Sequence, residues 1–177
     1  MAKIVYYVAS SIDGFIAGRN DDISGFAPGG PCVEKYLSDL NEFKTVIMGR
    51  RTYEFGYQYG LKPGQKAYPH MEHHIFSNTL SFEEKDDHVH IEPISEERIV
   101  NIKDKAETDI YLCGGGVFAS WLLDLKLIDQ IKIKLNPIIL RDGIKMFESS
   151  KTMTSLDLNN SESFDDGLKI LSYDVLY

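Results

Sequence analysis

Thr45–Phe55, TVIMGRRTYEF, is the stretch on which the reading of this chain turns. Val46, Ile47 and Met48 form a short apolar run, Gly49 breaks it, and Arg50, Arg51 and Thr52 open a helix. A strand that passes through glycine into a helix is the junction at which open α/β sheets bind ligands, beyond the carboxyl ends of their strands. The two arginines are the informative residues. A helix N-terminus already exposes unpaired N–H groups and the positive end of the macrodipole, so each cation there costs about 0.3–1 kcal/mol unless an anion sits among them. A phosphate would accept from the backbone, from both guanidinium groups and from the Thr52 hydroxyl.

A second junction, Asp109–Phe118 or DIYLCGGGVF, repeats the pattern. The apolar strand ends at Cys113, and Gly114, Gly115 and Gly116 allow positive φ and close approach of the main chain to a flat or phosphorylated ligand. The spacing then predicts a helix over 117–125 with Phe118, Trp121, Leu122 and Leu125 as its core stripe, which suits Trp121 to packing better than to stacking on a ligand.

Around these junctions the remaining elements fall into an α/β order. Residues 3–9 are almost continuously apolar and predict a central strand. Residues 10–30, rich in Gly, Asp, Asn and Ser, predict a long irregular loop of the functional or mobile kind. Pro31 starts a helix with Val33, Tyr36, Leu37, Leu40 and Phe43 inward; Glu34 reads as a first-turn acid favoured by the dipole. His70–His74, HMEHH, invites a metal site, but Pro69 before it and the strand Ile75–Phe76 after it argue against the helix that would align the histidines, leaving exposed polar residues entering a strand. Ser77 and Asn78 close that strand. His88–Ile91 predicts an exposed edge strand and Ser95–Ala106 a helix capped by Ser95. In Gln130–Leu140 the alternation of Ile131, Ile133 and Leu135 with lysines predicts a strand with one wet face, and Pro137 suggests an edge. A turn at Arg141–Gly143 and two antiparallel strands, within 152–159 and 168–176, complete a mixed, mostly parallel sheet with helices on both faces.

Composition narrows the function. A chain of 177 residues, 43% hydrophobic, is expected to form a single domain over 1–177 with a sizeable core. A net charge of −8 argues against nucleic acid as a partner and makes the paired arginines more conspicuous. With no apolar run of membrane-spanning length and no signal-peptide pattern at the start, neither a membrane partner nor export is expected, and residence is expected to be cytoplasmic. Two cysteines, Cys32 and Cys113, without CxxC spacing indicate no disulfide framework and no metal site.

Four segments taken together resemble a known family: VASSIDGFIAG (8–18), MGRRTYE (48–54), CGGGVF (113–118) and IDQIKIKLNPIILRDGIKMFE (128–148). The first three are similar to the cofactor landmarks of the dihydrofolate reductase superfamily, and the fourth to its branch represented by the reductase domain of bifunctional riboflavin biosynthesis proteins. The resemblance implies a dihydrofolate reductase-like three-layer α/β sandwich that binds NADPH. By that likeness Arg50, Arg51 and Thr52, with Gly49, would hold the 2′-phosphate, and Phe76, Ser77 and Asn78 would carry the adenosine. Gly115, Gly116, Val117 and Phe118, beside Cys113 and Gly114, would hold the pyrophosphate, and Ala9 and Ile16 would meet the nicotinamide. It further implies a homodimer and hydride transfer to a carbonyl or imine of a small pyrimidine- or pterin-like substrate, the 5-amino-6-(5-phosphoribosylamino)uracil reductase step included. Asp13, Glu34 or water would supply the proton.

The chain departs from that branch in two places. The zinc motifs of the deaminase half are absent, and Arg141 and Asp142 stand where a glycine-rich turn beside the substrate cleft is expected. Two other classes therefore stay in play: a regulatory protein that binds NADPH without turnover, and a structural homo-oligomer that pairs through Gln130–Leu140.

Overall fold

Strand β1 (Ile4–Ser10) is apolar throughout because both of its faces are covered: alternate side chains enter two separate cores. A computed structural model describes residues 1–177. In chain order the other elements are β2 (Phe15–Ala17), α1 (Pro31–Leu40), β3 (Thr45–Gly49), α2 (Arg50–Phe55), β4 (Glu72–Phe76), β5 (Val89–Glu92) and α3 (Glu96–Lys105). They are followed by β6 (Ile110–Gly114), α4 (Gly116–Asp124), β7 (Gln130–Leu135), β8 (Ile144–Lys145), β9 (Ser155–Ser163) and β10 (Lys169–Leu176). Eight strands form one sheet in the order β5-β4-β3-β6-β1-β7-β10-β9, and β2 pairs with β8 in a separate ribbon. Pairing is parallel from β5 through β7 and antiparallel from β7 to β10 to β9, the expected mixed sheet.

The two cores place the helices. Tyr6, Leu112 and Ile47 pack under α3 and α4 through Ile99, Ile102, Phe118 and Leu122. Tyr7, Tyr111 and Met48 pack under α1 and α2 through Cys32, Leu40 and Tyr53. Ser95 caps α3 by accepting from the Arg98 N–H, as its sequence position predicts.

Three expectations are corrected. Strand β7 stops at Leu135 and runs between β1 and β10, so Gln130–Leu135 is an interior strand and not the edge expected to pair two copies of the chain. Its lysine face is not wet either. Lys132 Nζ donates to Asp39 Oδ2 at 3.1 Å, and Lys134, only 7% exposed, sits 4.9 Å above the Tyr36 ring, its burial holding the ammonium pKa below the usual value. Alternation with lysine reads as solvent exposure because the sequence does not show the acid and aromatic ring that α1 brings over them. Likewise His73, in the HMEHH run, is fully buried: its Nε2 accepts from the Ala67 and Tyr68 N–H groups and its Nδ1 bonds the Met71 carbonyl. The free edges of the sheet are β5 and β9.

Candidate active-site cleft

The two sequence junctions lie side by side, since β3 pairs with β6, and both open into one cavity of about 860 Å³. It lies at the carboxyl ends of the parallel strands, where this class of sheet places its ligands. Of the residues expected to hold a cofactor, all but Ala9 and Gly114 line it. Gly49, Arg50, Arg51 and Thr52 come from the first junction, Phe76, Ser77 and Asn78 from the end of β4, and Cys113, Gly115, Gly116, Val117 and Phe118 from the second; Ile16 arrives from β2.

The glycines of the second junction have distinct reasons to be glycine. Gly114 has φ +125°, a conformation that side chains rarely adopt, and joins Gly115 through a cis peptide bond. Gly116 is required by the chain's own packing: a Cβ there would overlap the carbonyl oxygen of Lys145 in β8. Helix α4 then starts from Gly115 without a side-chain cap, so the N–H groups of Gly116, Val117 and Phe118 begin a helix at the cleft wall with no intrahelical acceptor. Phe76 stacks on Phe118 at 5.0 Å and Phe118 on Trp121 at 5.7 Å, making an aromatic wall; Trp121 both packs and lines the cavity.

The arginines are not without partners inside the chain. Arg50 Nε donates to Glu54 Oε1 at 2.8 Å and its Nη1 to Thr79 Oγ1 at 3.0 Å. Arg51, 76% exposed, has Asp21 Oδ1 at 3.9 Å. Glu54 answers the expectation that only an external anion makes sense of this pair, but an exposed i,i+4 pair contributes at most about 0.5 kcal/mol and leaves further donors of both guanidinium groups free. Two guanidinium groups, the Thr52 hydroxyl and the uncapped start of α4 all line one cavity, a donor set whose chemistry suits anionic groups.

The two expected acids are placed elsewhere. Neither Asp13 nor Glu34 lines the cleft. Asp13 accepts from the Ser11 hydroxyl at 2.6 Å and from the Arg141 and Leu140 N–H groups, and these bonds hold its carboxyl below the usual carboxylate range. It is a clamp that joins the first loop to the turn after β7 and stays ionised, which is the wrong state for a proton donor. Glu34 is exposed on α1, and Tyr36, two residues on and so on a different side of the helix, takes the cleft-facing place. Arg141 and Asp142 do not border the cavity; Asp142 pairs with Arg19.

The sequence reading missed a group of tyrosines in the cleft. Tyr36 and Tyr111 share a hydroxyl hydrogen bond of 2.9 Å, and Tyr68 shares one of 3.5 Å with Cys113 Sγ. Burial pushes the pKa of all three phenols and of the Cys113 thiol up, so this part of the wall is neutral and protonated at ordinary pH. Nothing in the spacing of residues 36, 68, 111 and 113 announces the cluster, because three different elements supply it.

Known proteins are similar to this chain over nearly its whole length. The chain is 24% identical to the uncharacterized protein YyaP of Bacillus subtilis (strain 168) over 97% of this chain and 94% of that one. A crystal structure from Shewanella sp. PV-4, provisionally described as a riboflavin biosynthesis protein, superimposes with a TM-score of 0.83 over all of both chains at 23% identity. Dihydrofolate reductase from Enterococcus faecalis, complexed with NADP(H) and RAB-propyl, does so with a TM-score of 0.68 at 15% identity, covering 99% of this chain and 97% of that one. The fold is thus dihydrofolate reductase-like. The model of the RibD C-terminal domain matches residues 2–170, and the chain belongs to that family.

Proposed function

We propose that this protein is an NADPH-dependent reductase that transfers hydride to a carbonyl or imine of a small pyrimidine- or pterin-like substrate. One observation carries the reading: a single cavity joins the Arg50–Arg51–Thr52 cluster to the Gly115–Phe118 helix start. A ligand spanning it would place a terminal phosphate among the arginines and a pyrophosphate against α4. Ribose without that phosphate is ordinarily met by an acid; here the acids at hand, Glu54 and Asp21, lie against Arg50 and Arg51, and the two guanidinium groups keep further donors for a phosphate. The stacked Phe76–Phe118 wall offers an apolar face for an adenine, and Ser77 and Asn78 shape the turn beside it by accepting from Leu80 and Ile94 N–H groups. When bound, the cofactor supplies the hydride; the chain's residues hold its phosphates, orient its ring near Ile16 and keep the reacting carbon in a mostly apolar cleft. The proton comes from water or from the phenols of the cleft, since Asp13 and Glu34 are out of place.

Riboflavin biosynthesis is the pathway that the family and its Shewanella relative suggest for this reductase. The same reading takes the protein as a cytoplasmic homodimer. A second reading, a nucleotide-binding regulator without turnover, is favoured by the absence of any carboxylate from the cleft lining beside Tyr36, Tyr68 and Tyr111. The test is consumption of NADPH, followed by the loss of its absorbance, with pyrimidine ribosyl and dihydropterin acceptors. Turnover above the acceptor-free rate supports the reductase; tight NADPH binding with no turnover on any acceptor supports the regulator.

A further inference from the structure

The charged side chains of the cleft are unevenly distributed. Four line it: Arg50, Arg51, Asp21 and Glu148. All belong to the two helix starts: Asp21 lies 3.9 Å from Arg51, and the Glu148 N–H bonds the Gly116 carbonyl at 3.4 Å. Away from these starts the wall is Tyr36, Tyr68, Tyr111 and Cys113, floored by Tyr7, and carries no cation and no carboxylate. Two cations touch its rings without lining the cavity: Lys132, bound to Asp39, lies 4.7 Å from the centroid of the Tyr7 ring, and Lys134 lies 4.9 Å from that of Tyr36.

A phosphate or carboxylate brought to this wall would lose its hydration without gaining a counter-ion, which is unfavourable in so apolar a pocket. A neutral planar heterocycle meets the opposite conditions. Edge-on and tilted tyrosine rings supply faces and edges for stacking, Tyr68 standing at 78° to Tyr111 with centroids 5.5 Å apart and Tyr7 at 79° to Tyr36 with centroids 4.7 Å apart. Tyr36 and Tyr68 are partly buried and line the cavity, and their hydroxyls, while accepting from Tyr111 and Cys113, can serve a ring carbonyl as donors.

We propose that the substrate half of the cleft selects an uncharged, planar carbonyl- or imine-bearing heterocycle, and gains nothing from a phosphate on that substrate. This rests on the reductase reading and names its substrate class. The discriminating pair is 5-amino-6-ribosylaminouracil with and without its 5′-phosphate, titrated calorimetrically into protein saturated with NADP⁺, with a neutral dihydropterin as a third probe. The dephosphorylated compound and the pterin are expected to bind at least as tightly as the phosphorylated one, and Tyr36→Phe and Tyr68→Phe each to weaken the neutral compounds about tenfold without changing NADP⁺ affinity. Binding of the phosphorylated compound more than tenfold tighter than its partner would overturn the inference while leaving the reductase standing. Failure of NADP⁺ and NADPH to bind at all would overturn both. Circular dichroism of the two phenylalanine variants separates a lost contact from a lost fold, and unchanged neutral-ligand affinity in both folded variants would also count against the proposal.

Discussion

The carbonyl oxygen of Lys145 fills the space that a Cβ on Gly116 would need, so the start of α4 and the short strand β8 are locked to each other through a missing side chain. Thr52 Oγ1 lies 3.1 Å from the corresponding point on Gly115, a gap that a small shift of a hydroxyl can open. Gly116→Ala is therefore expected to cost about 1–3 kcal/mol of stability through overpacking and to abolish NADPH binding. Gly115→Ala should fold with a smaller loss. Thermal melting of the two variants with and without NADPH checks this, and equal losses would show that the Lys145 contact is not the constraint.

Asp39 is the buried link between α1 and the sheet. It is 5% exposed, receives Tyr7 Oη at 3.0 Å and Lys132 Nζ at 3.1 Å, and also pairs with Lys35. Burial alone would push its carboxyl pKa up; the bonds from Lys35, Lys132 and Tyr7 outweigh that and leave it below the ordinary range. Asp39→Asn leaves Lys132 without its counter-charge and is expected to cost about 3 kcal/mol, whereas Lys35→Ala, at the exposed end of the network, should cost less than about 1 kcal/mol. Urea denaturation distinguishes them. Similar midpoints for the two variants would contradict the network as described.

His73 makes stability fall in acid. Burial lowers its pKa to about 4, and its Nε2 is the acceptor for two N–H groups, which a proton there would displace. The unfolded chain takes up that proton below about pH 6.5, so stability is constant above this value and declines as the pH falls towards the folded-state value. Between about pH 7 and pH 5 the loss from this group is about 2 kcal/mol. His73→Gln, which keeps an acceptor and cannot titrate, should flatten the slope; an unchanged slope would remove His73 as its cause.

Strand β9 presents the long open edge of the sheet, with Leu156 41% and Leu158 51% exposed on it. Such an edge is an association surface unless it is covered. If the proposed homodimer uses it, light scattering should report twice the monomer mass for the native chain and a monomer for Leu158→Lys. A dimer unaffected by that change would place the interface elsewhere.

Local signals carried most of the fold. The apolar runs of β1, β3 and β6, the glycines that end β3 and follow β6, and the Ser95 cap are short-range features, and each element formed where its residues suggested. The cofactor half of the cleft was legible for the same reason, since each junction is contiguous in sequence. What was hidden depends on partners far away in the chain. Lys134 looked wet because Tyr36 lies almost a hundred positions earlier, His73 looked exposed because its acceptor role depends on the backbone of the preceding loop, and Asp13 looked chemical until the turn at Leu140–Arg141 was found bonded to it. Tyr36 was read as a core position and Glu34 as the candidate acid, because the direction in which a helix faces is fixed by tertiary packing and not by the residues of its first turn.

The central claim is that Arg50 and Arg51 hold a phosphate of a nucleotide lying in the cleft. The chain has a single tryptophan, Trp121, and it lines that cavity, so its fluorescence reports binding directly. Titrations of the native chain and of the Arg50→Ala, Arg51→Ala double variant with NADPH and NADH form the decisive measurement. The account predicts NADPH at least tenfold tighter than NADH in the native chain, about 1.4 kcal/mol, and near-equal affinities in the variant. Equal binding of the two nucleotides by the native chain, or a preference that survives loss of both arginines, would contradict it.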